Sequence, residues 1–181
     1  TPDLLAGEIA IRPGFPAAWD QASMHHPEFD FTFAREDRTD RFQFVSRFAK
    51  PVALRLVVPA SGDSIAAITA NARPLAWQLV RESVGRPRIE VVAPAATSHE
   101  IEIRWAGTPP ASPPKELEVA QGARFSVDAG ASVKDLADPQ QAASGIRRSE
   151  DRIDGIASGT PGHRTLFARV GQGELEWWQP L

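Results

Sequence analysis

Cysteine is absent from this chain of 181 residues, so no disulfide can stabilise its fold. None is needed, because a chain of this length buries roughly two thirds of the surface that its unfolded form exposes. The composition, 42% hydrophobic and 24% charged, is that of a soluble globular protein with one or two domains. The lack of cysteine leaves the cellular compartment open.

A surplus of basic residues is also missing, since 20 Lys and Arg stand against 23 Asp and Glu, for a formal net charge of −3. Tight binding to nucleic acid needs many Lys and Arg contacts to phosphate, so we expect no nucleic-acid partner. No stretch approaches the roughly 20 apolar residues that cross a bilayer, and no basic segment precedes an apolar core at the N-terminus. We therefore expect neither a membrane span nor a signal peptide.

Motifs for cofactors and for nucleophilic catalysis are missing too. No Gly-x-Ser-x-Gly elbow occurs, and Gly122, Gly130 and Gly145 are scattered rather than gathered in a phosphate-binding loop. We expect no cofactor and no Ser-His-Asp triad. Methionine occurs once, at Met24, and the chain opens with Thr1, so we expect it to be a piece of a longer protein.

What the chain does contain is an alternation of apolar and polar residues with a period of two, which is typical of strands with one buried face. About seven or eight short strands at such spacing favour an antiparallel β-sandwich, so the predicted fold class is all-β. The alternating stretches are residues 29–33, 42–44, 52–58, 88–92 and 101–105. A further hairpin is predicted in which residues 65–69 pair with 75–79 across a turn that begins at Asn71.

Four prolines within residues 107–114 predict an extended connector between two domains. We therefore place a β-sandwich domain at 1–107, a Pro-rich linker at 108–115 and a smaller β-rich domain at 116–181. In the second domain we predict strands at 117–119 and 124–127 and a loop over 145–159. A hairpin is predicted from 164–170 and 174–178, while residues 131–143 fit a helical stripe that Pro139 would interrupt.

Five residues are candidates for contact with carbohydrate. Trp19 and Trp178 offer flat apolar rings on which a sugar could stack, and the guanidinium of Arg12 offers several N–H donors. A Trp at a proline-rich corner more often fills space, however. His25 and His26 could each bond a sugar hydroxyl or remain solvated. Adjacent residues of an extended chain point in opposite directions, so these two histidines do not predict a metal site.

Catalysis within the chain is not expected. Glycoside hydrolysis needs two carboxyl groups roughly 5 to 10 Å apart that flank the scissile bond. Glu28 and Asp30 would lie about 7 Å apart on one strand face, yet they would project in parallel. Glu36, Asp37 and Asp40 belong to what we predict is a solvated turn. No catalytic residue is therefore assigned, and whether the chain belongs to an enzyme is left open.

A resemblance points to the setting in which the chain acts. Residues 7–19, which read Gly-Glu-Ile-Ala-Ile-Arg-Pro-Gly-Phe-Pro-Ala-Ala-Trp, resemble the start of the β-sandwich that follows an (α/α)6-barrel catalytic domain in bacterial glycoside hydrolases. Residues 2–6 resemble the exit from such a barrel, and residues 71–77 resemble a hairpin of the sandwich. Shorter segments of the second half, at 138–140, 162–167 and 173–180, resemble parts of bacterial proteins that carry the same sandwich.

The resemblance implies an accessory role rather than an active site, because the barrel with its catalytic acid and base is not in this sequence. It implies that the chain stabilises or orients a helical-barrel catalytic domain that acts on a polysaccharide, in the periplasm or outside the cell. The partners implied are that barrel and the polysaccharide. An autonomous carbohydrate-binding module and a purely structural sandwich remain as alternatives.

Overall fold

The computed structural model describes residues 2–3, 7–16 and 18–181, with side chains from Gly7 onward. These residues include no helix and are 57% strand, which confirms the predicted all-β fold of sandwich type. Among the described residues, therefore, no helix is present that could span a membrane. Leu4, Leu5 and Ala6, within the segment that resembles a barrel exit, and Ala17 of the next segment lie outside the described residues.

The chain forms two compact units. Unit 1 comprises Thr1–Leu79 and Arg88–Pro109, and unit 2 comprises Val80–Pro87 and Pro110–Leu181. Nothing in the sequence pattern indicated that residues 80–87 group with the second half of the chain.

Unit 1 contains two sheets. The first has the order β1-β2-β6-β10-β9, and the second has the order β3-β4-β5-β11-β7-β8. Neighbouring strands are antiparallel except for β2 and β6, which are parallel. The strands are β1 Pro2–Asp3, β2 Glu8–Ile11, β3 Gln21–His26, β4 Phe29–Glu36, β5 Thr39–Ser46, β6 Val52–Pro59, β7 Ser64–Ala70, β8 Arg73–Pro74, β9 Trp77–Leu79, β10 Arg88–Ala96 and β11 Ser98–Ala106.

The core of unit 1 follows from the alternation in the sequence. Phe31 and Phe33 of β4 lie opposite Phe44 and Phe42 of β5, and all four rings are buried. Successive residues of a strand point to opposite faces, so the polar residues between them face solvent. In β11 the same rule buries Ile101, Ile103 and Trp105, as the pattern predicted.

The predicted hairpin at Asn71 is correct in its turn but wrong in its second strand. Asn71 and Ala72 both have positive φ, 49° and 62°, which is the conformation of a type I′ turn. β7 pairs across this turn with β8, Arg73–Pro74. Trp77–Leu79 instead pairs with β10 in the other sheet. The Leu75 N–H still donates to Ile68 O of β7 at 2.9 Å, so the chain leaves this sheet between Leu75 and Trp77.

Unit 2 has two three-stranded sheets, with the orders β12-β15-β14 and β13-β16-β17. The predicted final hairpin is confirmed, because β16 and β17 pair from Phe167 opposite Pro180 to Gln172 opposite Leu175. The strands are β12 Arg124–Asp128, β13 Ser132–Ala137, β14 Ala143–Arg148, β15 Arg152–Ala157, β16 Phe167–Gln172 and β17 Leu175–Pro180.

Two local predictions for unit 2 are wrong, and one stretch that the sequence left ambiguous is resolved. Residues 117–119 are not in a strand. Residues 131–143, where a helical stripe conflicted with Pro139, contain the strand at 132–137. Residues 145–159, predicted as a loop, contribute to β14 and to β15. Both strands contain Arg and Gly among few large apolar residues, so they lack the apolar alternation that identifies a strand from sequence.

The core of unit 2 is built around Trp177 and Gln179, both fully buried on β17. The Trp177 Nε1–H donates to Gln179 Oε1 at 2.7 Å. The Gln179 amide donates in turn to the carbonyls of Ser112 at 2.9 Å and Ala129 at 3.2 Å. A buried amide with three satisfied bonds stabilises the strand at little desolvation cost.

Candidate functional site

The corner formed by residues 12–19 carries an aromatic stack that runs from the core to the surface. Phe15 lies 5.4 Å from the Phe33 ring and 6.4 Å from the Phe31 ring, measured between centroids. Trp19 lies 6.3 Å from Phe15 with an interplanar angle of 23°. The backbone N–H of Trp19 donates to the Pro16 carbonyl at 3.0 Å, which closes a tight turn at this corner. Phe15 thus supports Trp19 from the core side.

Trp19 is the exposed end of this stack. Its side chain is 51% exposed, and every other Phe or Trp of the described residues is buried or partly buried. Arg12 in the same segment is also exposed. A ring held in place on one side and open on the other can pack against another protein or stack on a sugar.

His25 and His26 lie on opposite faces of β3. His25 Nδ1 is hydrogen-bonded to the Asp30 carboxylate on the outer face of the sheet. His26 stacks on Phe29, with 4.9 Å between ring centroids. In the part of the chain that the structure describes, no group of three or more His, Cys, Asp or Glu residues could hold a metal ion.

Arg47 organises the carboxylate beside His25. Its guanidinium donates to both Asp30 oxygens, at 2.5 and 3.1 Å, and to the carbonyls of His26 and Pro27 at 2.6 and 2.9 Å. The hydrogen bond from Arg47, which has the largest effect, and the hydrogen bond with His25 lower the pKa of Asp30 to about 2. Asp30 is therefore ionised at neutral pH and cannot serve as a general acid.

The carboxylate pair considered from the sequence does not form as expected. Glu28 lies in the turn between β3 and β4 and not on a strand face with Asp30. Its backbone N–H donates to His26 Nδ1 at 3.2 Å. With Glu28 in a turn and Asp30 bound to Arg47, the two do not form the opposed pair that glycoside hydrolysis requires.

Asp40 is the clearest residue that sequence reasoning missed. It was predicted in a solvated turn, yet it is only 1% exposed. Arg35 donates to its two oxygens at 2.6 and 2.9 Å, and the Trp105 Nε1–H donates to Oδ2 at 2.9 Å. Arg35 also donates to Ser61 Oγ at 2.9 Å.

The Asp40 network has a structural role. The hydrogen bond to Asp40 raises the pKa of Arg35 above its ordinary value. Arg35 therefore keeps its charge, and its salt bridge with Asp40 holds β4 and β5 together inside the sandwich. No local signal distinguished Asp40 from its exposed neighbours, because its partner Trp105 is 65 residues away.

Trp178 belongs to unit 2, whereas the other four candidates belong to unit 1. It lies on the face of β17 opposite to the buried Leu175 and Trp177, and its ring is partly exposed. Its backbone N–H donates to Ser83 O, and the Gly85 N–H donates to Trp178 O, both at 2.8 Å. Residues 83–85 thus lie along the free edge of β17, in a parallel bridge between Val84 and Trp178.

The five candidates therefore divide between two units. Arg12, Trp19, His25 and His26 belong to unit 1, where His25 and His26 are the last two residues of β3, while Trp178 lies on β17 of unit 2. Comparisons of the chain with models of protein families, with curated proteins and with solved structures found no match.

Proposed function

We propose that this chain is the non-catalytic accessory β region of a bacterial glycoside hydrolase. In that role it stabilises or orients a helical-barrel catalytic domain that acts on a polysaccharide, in the periplasm or outside the cell. The proposal joins the resemblance of residues 7–19 to one observation of the fold, the stack that ends in the exposed ring of Trp19.

The stack favours packing against a protein surface. Phe15 fills the corner and leaves Trp19 as a rigid apolar projection, so an apolar partner surface could cover it with little loss of conformational entropy. The carboxylates near this segment support a non-catalytic role. Asp30 is bound by Arg47, and Asp40 is buried with Arg35.

A carbohydrate-binding module is the second candidate. Such a module stacks sugars on exposed aromatic rings, and Trp19 with Arg12 supplies one ring and one donor. A row of exposed rings would favour it strongly. Among the described residues, Trp19 is the one Phe or Trp side chain that is more exposed than buried. The accessory role is therefore the better supported of the two.

The test is to isolate the protein from its native source and to examine its mass and its associated chains. The accessory role predicts a larger, helical polypeptide in stoichiometric amount, and polysaccharide hydrolysis by the assembly. Trp19→Ala should weaken that association roughly tenfold or more, because a buried Trp ring contributes several kcal/mol at the centre of an interface. Val92→Ala, another exposed apolar side chain of unit 1, is the matched control and should have no effect.

The remaining outcomes distinguish the alternatives. A lone chain with no larger partner would overturn the accessory role. If that lone chain binds polysaccharide and Trp19→Ala abolishes the binding, the carbohydrate-binding module is the correct function. If it binds no glycan, the sandwich is structural.

A further inference from the structure

One sheet edge of unit 1 differs from the others. β3 forms an edge of the six-stranded sheet, has six residues and pairs with β4 in an unbroken register. It contains no proline and no Asp, Glu, Lys or Arg. Sheet edges in monomeric proteins are usually short, charged, bulged or covered, since a long regular edge pairs with other strands.

The remaining edges that the structure describes have such protection. In unit 1, β1 and β8 have two residues each and β9 has three. In unit 2, residues 83–85 lie along β17, β12 has a charged residue at each end, and β13 and β14 have register shifts. Of the described edges, β3 alone is long, regular and uncharged.

One hydrogen bond shows which backbone N–H and C=O groups of β3 point toward β4 and which point away from the sheet. The Arg35 N–H donates to Asp20 O, so the Asp20–Arg35 pair at the start of the β3–β4 ladder is a hydrogen-bonded pair. Hydrogen-bonded and non-hydrogen-bonded pairs alternate along an antiparallel ladder. Residues 22, 24 and 26 therefore bond to β4. The N–H and C=O groups of Gln21, Ser23 and His25 point away from the sheet.

We propose that β3 pairs with β3 of a second copy of this chain, antiparallel across a twofold axis at Ser23. This register sets Ser23 opposite its own copy and Gln21 opposite His25 in both directions. All three outward-pointing residues then form hydrogen-bonded pairs. At two bonds for each pair, the contact contains about six backbone hydrogen bonds.

The side chains fit this pairing. On the core side of the sheet, Ala22 lies opposite Met24 of the second copy, so the smallest side chain of the edge meets the largest apolar one. Met24 is 46% exposed in the single chain and would become covered. Because β3 has no charged Asp, Glu, Lys or Arg, pairing with itself places no like charges in opposition. In a twofold dimer both copies usually contribute the same surface to the interface, as β3 does in this pairing.

The experiment measures the molar mass of the purified chain by light scattering after size exclusion, over a wide range of protein concentration. The wild type should approach twice 19.7 kDa as concentration rises. Ser23→Pro removes an N–H that points away from β4, so it should leave the β3–β4 ladder intact and give a monomer. Ser23→Lys places two ammonium groups on the twofold axis and should also give a monomer.

Two further variants refine the test. Met24→Ala should weaken the dimer about tenfold, because it removes an apolar contact on both sides of the axis. Ala67→Lys adds the same charge as Ser23→Lys at an exposed position of β7, in the same sheet but away from this edge, and should remain dimeric. Circular dichroism establishes that each variant is folded. If Ser23→Pro unfolds the chain, the molar mass of Ser23→Lys decides whether the dimer forms through β3.

Three results would overturn the pairing. They are a wild-type chain that is monomeric throughout the concentration range, a dimer that persists in folded Ser23→Lys, or amides of residues 21, 23 and 25 that exchange equally fast in wild type and Ser23→Lys. Occupation of β3 by a strand of a different protein would also overturn it. This test uses the isolated chain and is independent of the proposed accessory role, which is tested by the larger partner.

Discussion

At the scale of the residue, His99 shows how burial couples a side chain to pH. It is 1% exposed on β11, and its Nε2 lies 2.9 Å from Val52 O. Burial, the largest effect, lowers the pKa of His99 below its ordinary value of 6.5. Nε2 therefore carries the proton of a neutral ring and donates to Val52 O.

The sign of the pH dependence follows from this shift. The unfolded chain takes up a proton at His99 more readily than the folded chain does, so the contribution of His99 to stability is complete above pH 6.5. It is lost as pH falls through the lower folded pKa. We expect the free energy of unfolding to fall more steeply below about pH 6.5 in wild type than in His99→Gln, which cannot titrate there.

Urea unfolding at neutral pH and near pH 5 measures this difference. His163→Gln is the control, because His163 is exposed in unit 2, and it should retain the wild-type profile. An equal pH dependence in wild type and His99→Gln would show that His99 does not carry the effect.

At the scale of the element, the turn between β7 and β8 contains a strained residue. Ala72 has a φ of 62°, a left-handed conformation that costs an alanine about 1–2 kcal/mol. Glycine adopts it without this cost but loses more backbone entropy on folding. We expect Ala72→Gly to raise the free energy of unfolding by about 0.5–1 kcal/mol in urea titrations.

The control for this substitution is Ala66→Gly, at an exposed position of β7 whose φ is negative. It has no strain to relieve, so it should lower the free energy of unfolding. A loss of stability in Ala72→Gly equal to that in Ala66→Gly would contradict the account of the turn.

At the scale of the whole molecule, unit 2 is discontinuous in sequence. Its β17 edge is paired by residues 83–85, whereas the rest of the unit begins only at Pro110. Small units are only marginally stable alone. We expect a fragment of residues 110–181 to be less stable than the same residues in the intact chain. Amide exchange at β17 measures this loss of protection.

A peptide of residues 80–87 added to that fragment provides the complementary measurement. It should slow exchange at the Trp178 amide, which donates to Ser83 O in the intact chain. Addition of a peptide with the same composition in scrambled order is the control. Full protection of Trp178 in the fragment alone would mean that residues 80–87 are dispensable for the unit.

Much of the fold could be predicted because its signals are local. The period-two alternation at Phe31 and Phe33, or at Ile101 and Ile103, depends on the geometry of a single strand. The left-handed turn at Asn71 is equally local. β14 and β15 were missed because their polar residues carry no such alternation, and only pairing in the sheet makes them strands.

The all-β class, the alternating core of the sandwich and the final hairpin can be read from the amino-acid sequence, since each follows from side-chain periodicity or turn chemistry within a few residues. The burial of Asp40 with Trp105, the binding of Asp30 by Arg47 and the position of residues 83–85 along β17 follow instead from tertiary packing. The position of β3 at a sheet edge also follows from the way the strands assemble. Each of these features joins groups far apart in the chain, so the physical cause lies in packing and not in any local pattern.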